Sequence, residues 1–89
     1  MKKYIVKIKP VVRKKLAKMN SLLRIRFAKY IDSLENFDLV VWELDIKKLK
    51  WFENRYRLRI WKYRVLFEKY EDKLIILVID LGSRWDVYK

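Results

Sequence analysis

Residues 55–69 read RYRLRIWKYRVLFEK, and this stretch decides the fold. Polar and apolar side chains alternate over residues 55–60 and again over residues 63–69, which is the two-residue period of a half-buried β-strand. Only Trp61 and Lys62 separate the two runs, so we expect a tight antiparallel β-hairpin. Neither turn residue is Gly, Asn or Asp, so the turn is not of the type that forms most easily.

A two-residue loop also fixes which side chains face each other across the hairpin. Arg59 is expected opposite Arg64, and Arg55 opposite Glu68. One face is apolar and is therefore the core side, with Tyr56, Leu58, Ile60, Tyr63, Val65 and Phe67. The other face carries four arginines, which are Arg55, Arg57, Arg59 and Arg64.

This arginine-rich face is unusual for a hairpin. Like charges directly opposite each other destabilise a sheet by about 0.2–1 kcal/mol per pair, and only Arg55 receives an acidic partner. Guanidinium groups match phosphate oxygens well, so the unpaired cluster of Arg57, Arg59 and Arg64 predicts an anion site. The alternative is that acidic side chains of residues 32–54 fold over the cluster and neutralise it.

The N-terminal part of the chain predicts one strand and two helices. Residues 3–9 (KYIVKIK) alternate like a strand, and Pro10 suits the first turn of a helix that ends near Asn20. Ser21 is expected to cap a second helix, whose apolar stripe consists of Leu23, Phe27, Tyr30, Ile31 and Leu34.

The remaining segments complete the expected architecture. Residues 73–81 (KLIILVIDL) contain a continuous apolar run, which indicates an interior strand covered on both faces. Residues 37–52 are ambiguous, because lysines interrupt an alternating pattern there. The predicted order is β-α-α-β-β-β, an α+β domain in which a two-helix hairpin packs on a small antiparallel-rich sheet. Residues 1–89 are expected to form a single domain.

The composition restricts the chemistry. Cysteine and histidine are both absent, which excludes disulfides, the common zinc sites and a histidine general base. Catalysis would therefore depend on Arg, Lys, Tyr, Asp, Glu or Ser, and we expect no cofactor and no metal. The N-terminal residues lack the apolar segment of a signal peptide, and the longest apolar run, residues 74–79, is too short to span a bilayer. We therefore expect a cytoplasmic protein without a membrane partner.

The net charge of +12 is distributed unevenly. Residues 1–31 hold eleven Lys or Arg and no acid, whereas residues 32–54 hold six acids and three lysines. Residues 55–89 hold nine basic and five acidic side chains. Such an excess favours a polyanionic partner such as nucleic acid, or an acidic protein. The alternative is a charged, solvated surface of the kind found in thermophilic proteins.

Four segments together resemble the RelE branch of the RelE/ParE toxin superfamily. They are LDIKKLK at residues 44–50, YRLR at 56–59, YR at 63–64 followed by VLF, and GSRWDVY at 82–88. The resemblance is densest over residues 44–89, about half of the chain. It implies a RelE-like fold and a ribosome-dependent endoribonuclease that cuts messenger RNA in the A site. The messenger's 2′-hydroxyl would attack the adjacent phosphate, and a cognate antitoxin would block the reaction.

The resemblance also implies roles for individual residues. Carried over by position, the catalytic set is Arg57, Arg59, Arg64, Arg84 and Tyr88. Arg64 and Arg84 suit the stabilisation of charge on phosphate oxygens, and Tyr88 suits either stacking on a base or orienting the hydroxyl. The implied RNA-binding residues are Lys47, Lys48, Lys50, Trp85 and Lys89. The toxin is expected either as a monomer or in a complex with its antitoxin.

Two departures from the family pattern leave alternatives open. Some relatives have lysines where this chain has Arg57 and Arg59, and arginine does not act as a base. The base is then Tyr88, a nearby lysine or the ribosome. Ser83 and Trp85 flank Arg84 where many relatives have His and Gly, and Trp85 either stacks on a base or caps the core. The alternative functions are a ParE-like gyrase inhibitor and a catalytically weakened RNA- or ribosome-binding relative.

Overall fold

The computed structural model describes residues 2–83 and confirms the α+β class. A three-residue strand, β2, joins the predicted elements in the ambiguous segment. In chain order the elements are β1 (Ile5–Ile8), α1 (Pro10–Ala17), α2 (Ser21–Asp32), a 3₁₀ turn (Ser33–Asn36), α3 (Phe37–Val40), β2 (Ile46–Lys48), β3 (Arg55–Ile60), β4 (Tyr63–Tyr70) and β5 (Ile75–Ser83).

The five strands form one mixed sheet in the order β1-β5-β4-β3-β2. Strand β1 pairs with β5 in parallel, and the other neighbours are antiparallel. Strand β5 is interior, as predicted, but its cover is complete on one face only. Ile76 and Val78 are buried, whereas Ile75 and Leu77 are half-buried. The expectation of full cover on both faces is therefore wrong.

The β3–β4 hairpin has the predicted register. Arg59 lies opposite Arg64, Leu58 opposite Val65, and Arg55 opposite Glu68. Trp61 takes a φ of 56°, in the left-handed region that a bulky residue rarely adopts. Its ring packs against the guanidinium carbon of Arg26 at 4.6 Å, and this contact helps to hold the turn.

The helices begin and end where local capping allows. Pro10 occupies the first turn of α1, as expected, but α1 ends at Ala17 rather than near Asn20. The cap of α2 is Asn20 and not Ser21, because the Asn20 side chain accepts a hydrogen bond from the Leu23 N–H at 2.9 Å. Asn20 must leave helical geometry to cap α2, so α1 stops short of it.

The core lies between the helices and the apolar face of the sheet. Phe27, Ile31 and Leu34 of the predicted stripe are fully buried there. Phe27 makes an edge-to-face contact with Tyr63 of β4 at 5.2 Å between ring centroids, which ties α2 to the hairpin. Within residues 2–83, none of the helices has both the length and the apolar character needed to cross a membrane.

We expect Phe27→Ala to lower the free energy of unfolding by about 3–5 kcal/mol, since it leaves a cavity between α2 and the hairpin. Leu22, on the same helix, is 80% exposed and provides the matched control. Leu22→Ala should change the stability by no more than about 0.5 kcal/mol. Urea denaturation measures both values, and equal losses in the two variants would contradict this packing.

Candidate functional site

The candidate site is the sheet face opposite the core, here called the arginine face, which carries Arg55, Arg57 and Arg59 of β3 and Arg64 of β4. Alternate residues of a strand point to the same side, about 6.6 Å apart, so the three β3 arginines form a row. Arg64 stands directly across from Arg59. The hairpin register therefore brings three of the predicted site residues, Arg57, Arg59 and Arg64, to one surface with Arg55.

Arg55 is neutralised within the sheet, as its cross-strand partner predicted. Its Nη2 donates a hydrogen bond to Glu68 Oε2 at 2.8 Å, and Tyr70 donates its hydroxyl to Glu68 Oε1 at 2.8 Å. Burial by itself would raise the pKa of Glu68, but the hydrogen bonds from Arg55 and Tyr70 outweigh it and lower that pKa. Arg55 is thus a structural cation at one end of the row.

Arg57 is also paired, and the expectation that it belongs to an unpaired cluster is wrong. Its Nη1 donates to Asp45 Oδ1 at 3.0 Å and to the Asp45 backbone oxygen at 3.2 Å. The Arg57 side chain is only 12% exposed. The acid comes from the 32–54 segment, so the alternative of neutralisation by that segment holds for this one arginine. The pairing is possible because β2 follows Asp45 directly and runs beside β3.

Arg59 and Arg64 form the uncompensated pair of the face, beside the hairpin turn. Arg59 is exposed, and its Nε donates to the Trp61 backbone oxygen at 3.2 Å. Arg64 is half-buried beside it. Among residues 2–83, no carboxylate lies within ion-pair distance of either guanidinium. Two positive charges therefore oppose each other across the hairpin without compensation from the described chain.

The three predicted lysines are exposed but do not all share the arginine face. Lys47 lies opposite Arg57, and Lys48 lies opposite Tyr56 of the core side. Because side chains alternate, Lys47 extends the arginine face at the β2 edge and Lys48 points to the other side. Lys50 follows in the loop after β2.

Four predicted site residues lie outside the described residues: Arg84, Trp85, Tyr88 and Lys89. Their expected position relative to the arginine face stays a prediction. The last described strand, β5, pairs Gly82 with Arg64 and Ser83 with Tyr63. Residue 83 therefore ends the described chain beside the uncompensated pair.

The pKa shifts of the described residues do not supply a general base. Burial by itself would lower the pKa of Lys69, but its hydrogen bond to Glu71 outweighs this and raises the pKa. The Lys69 ammonium also lies 4.4 Å from the centre of the Phe37 ring. The pKa of Tyr70 is raised by its hydrogen bond to Glu68. Both shifts hold the proton more tightly, which is opposite to what a base needs.

Acidic side chains of residues 2–83 do not gather into a group able to hold a metal ion. Two guanidinium groups on adjacent strands can bind the oxygens of one phosphate and stabilise the charge that builds up there.

Comparisons with solved structures agree with this architecture. The archaeal RelE–RelB complex from Pyrococcus horikoshii contains a chain that is 28% identical, with a TM-score of 0.81, covering 96% of this chain and 99% of that one. The fold of this chain is that of a RelE-type toxin. The RelB–RelE antitoxin–toxin complex from Methanococcus jannaschii gives 27% identity and a TM-score of 0.72, covering 92% and 94% of the two chains.

A structure with lower sequence identity shares the fold. The Escherichia coli RelBE toxin–antitoxin complex gives 20% identity and a TM-score of 0.68, with 90% and 95% of the chains covered. No protein-family model matches the sequence, and a search of curated proteins finds no match either. The likeness to RelE is therefore a likeness of fold, accompanied by 27–28% sequence identity to the two archaeal chains. This likeness supports a type II toxin.

Sequence reasoning missed two aromatic residues next to the arginine face. Trp51 is 94% exposed and Phe52 is 44% exposed, both in the loop between β2 and β3. The Phe52 ring lies over the Arg55 guanidinium carbon at 4.3 Å. The available signal was the position of two adjacent aromatics directly after three lysines.

The Arg55–Glu68–Tyr70 cluster should make stability depend on pH on the acid side. The pKa of Glu68 is lowered from 4.5 by folding, so the unfolded chain binds more protons between the two values. The contribution of Glu68 is therefore complete above pH 4.5 and is lost as pH falls through the lowered pKa. Urea denaturation across this pH range should show that the free energy of unfolding falls more steeply for the parent protein than for Glu68→Gln.

The control is Glu53→Gln, which changes an exposed carboxylate in the neighbouring loop. This variant should keep the steep acid loss of the parent protein. A Glu68→Gln profile with the same slope as the parent would show that Glu68 does not carry the effect.

Proposed function

We propose that this RelE-type chain is a ribosome-dependent endoribonuclease, the toxin of a type II toxin–antitoxin system, acting on messenger RNA in the A site. The observation that carries the proposal is the uncompensated pair of Arg59 and Arg64 on an open sheet face. Two opposed arginines destabilise a hairpin, whereas together they suit the binding of a phosphate.

In the proposed reaction the ribose 2′-hydroxyl forms a bond to phosphorus and the bond to the 5′-oxygen of the next nucleotide breaks. The products are a 2′,3′-cyclic phosphate and a 5′-hydroxyl. Arg59 and Arg64 hold the non-bridging oxygens and stabilise the negative charge in the transition state. Arg84 is proposed to act on the same phosphate, and Tyr88 to stack on a base or to orient the attacking hydroxyl.

The proton of the 2′-hydroxyl needs an acceptor, and the proposed acceptors are Tyr88, a lysine or the ribosome. The leaving 5′-oxygen takes up one proton to become the 5′-hydroxyl, so the overall reaction neither gains nor loses a proton. Arg57 acts indirectly in this proposal, because its guanidinium is held by Asp45. It fixes the segment before β2 against β3 and thereby positions Lys47. Lys47, Lys48, Lys50 and Lys89 would bind the RNA backbone, and Trp85 would stack on a base or cap the core.

A cognate antitoxin is the proposed regulatory partner. The two archaeal structures reported above are complexes of RelE with RelB. A net charge of +12 favours an acidic partner, and neutralising Arg59 and Arg64 would remove the phosphate site. We place this system in the cytoplasm, where ribosomes and messenger RNA are found.

The second candidate is a relative that binds RNA or the ribosome and cuts weakly. It is favoured by the Arg57–Asp45 ion pair, which removes one of the implied catalytic cations. Ribosome binding without a cut would support it over the nuclease.

Arg59→Ala and Arg64→Ala should each slow cleavage of ribosome-bound messenger by about 100-fold or more, because each removes one cation from the phosphate. Primer extension with purified protein measures the cut. Arg24→Ala is the control, since Arg24 is an exposed arginine of α2 and lies away from the arginine face. It should cleave like the parent protein.

Arg84→Ala and Tyr88→Ala are expected to abolish the cut and growth arrest while the protein still folds. Full cleavage by both Arg59→Ala and Arg64→Ala would refute the phosphate site. Retained cleavage in Arg84→Ala and Tyr88→Ala would remove the tail from the mechanism.

A further inference from the structure

The loop between β2 and β3 presents two aromatic rings to solvent at the end of the arginine face. Trp51 is 94% exposed and Phe52 is 44% exposed. The loop is closed by a hydrogen bond from Leu49 N–H to the Arg55 oxygen at 2.9 Å. The indole ring therefore gains nothing from burial in the described fold, although it lies only a few residues from the sheet.

The backbone of this loop holds Trp51 in an unfavourable conformation. Its φ is 74°, in the left-handed region where glycine is favoured and a bulky side chain costs roughly 1–2 kcal/mol. A residue selected for the loop geometry alone would be Gly or Asn. Trp51 therefore keeps its indole ring in water and its backbone in a left-handed conformation, and both are unfavourable for this residue.

Phe52 continues the arginine face. Its ring covers the Arg55 guanidinium at 4.3 Å, and Arg55 begins the row that leads through Arg57 to Arg59. The Arg55 Nε is buried and makes no hydrogen bond, so the ring seals that end of the row against water. An aromatic plane and a line of guanidinium groups are therefore joined on one surface.

The charges around the loop select the ligand. Residues 46–55 contain four basic side chains, Lys47, Lys48, Lys50 and Arg55, against one acid, Glu53. An exposed indole among cations suits a ligand that has both flat aromatic faces and negative charge. Unpaired nucleotides have both, and base stacking on aromatic side chains contributes about 1–3 kcal/mol per base.

We propose that Trp51 and Phe52 form a stacking site for an unpaired base of the RNA strand whose phosphate lies at Arg59 and Arg64. The inference rests on the proposed function. Arg55 and Arg59 are four residues apart on β3, or about 13 Å, a distance that a short stretch of single strand spans. Trp51 would then contact a nucleotide beyond the cleaved bond. Because bases differ in how strongly they stack, this contact would contribute to the sequence preference of the protein.

The test compares two ligands of equal length and charge, a fluorescently labelled single-stranded oligoadenylate and an abasic ribose-phosphate oligomer, at low ionic strength. Trp51→Ala should bind the oligoadenylate about tenfold more weakly, which corresponds to about 1.4 kcal/mol of lost stacking. It should bind the abasic oligomer like the parent protein. Trp51→Phe should recover most of the affinity for the oligoadenylate.

Two control variants separate stacking from other effects. Trp42 is 88% exposed in the turn after α3, and Trp42→Ala should leave both affinities unchanged. Arg59→Ala should weaken the binding of both ligands and reduce the dependence of binding on salt, because it removes a phosphate contact.

The inference is overturned if Trp51→Ala and the parent protein bind the oligoadenylate equally well. It is also overturned if Trp51→Ala loses the same affinity for the oligoadenylate and for the abasic oligomer. If Trp51→Ala instead loses binding to a protein partner while its RNA affinity is unchanged, the loop is a protein-docking surface and the inference is wrong. If Arg59→Ala also leaves both affinities unchanged, the proposed phosphate site fails independently of the loop.

Discussion

The opposition of Arg59 and Arg64 across the β3–β4 hairpin is the constraint on which the account of this surface depends. Two guanidinium groups with backbones about 5 Å apart repel each other, and the repulsion is stronger beside an apolar sheet than in free water. Burial of Leu58 and Val65 on the other side fixes the register, so the arginines cannot avoid each other by a slip of the strands. The core therefore holds the charges together.

The flanking contacts restrict this repulsion to one place. Glu68 neutralises Arg55, and Asp45 neutralises Arg57, so the row along β3 does not carry three free charges. At the other end, the packing of Trp61 on Arg26 stabilises a turn with unfavourable backbone geometry. The described ion pairs on this face leave Arg59 and Arg64, beside the turn, without a carboxylate, and a phosphate would supply the missing negative charge there.

The sequence was sufficient wherever a local period or loop length determined the structure. The alternation of residues 55–69 and the two-residue loop predicted the register of the hairpin, and Pro10 predicted the start of α1. The Arg57–Asp45 pair was not predictable in this way, because it depends on β2, a strand of three residues stabilised by its neighbour and not by its own pattern.

The same reason explains the other differences. The choice of Asn20 over Ser21 as the helix cap depends on where α1 ends, and the left-handed backbone at Trp51 is one that the residue type does not favour. The two RelE-type features that local patterns did carry, the hairpin and the helix stripe, are those that build the core. The candidate site depends on how separate segments meet.

The most direct test of the central constraint is Arg59→Glu. This change replaces the repulsion with an ion pair to Arg64, so the free energy of unfolding should rise by about 0.5–1 kcal/mol. Cleavage of ribosome-bound messenger should be lost in the same protein, because a carboxylate then occupies the phosphate position. Unchanged or lower stability together with full cleavage would contradict the account.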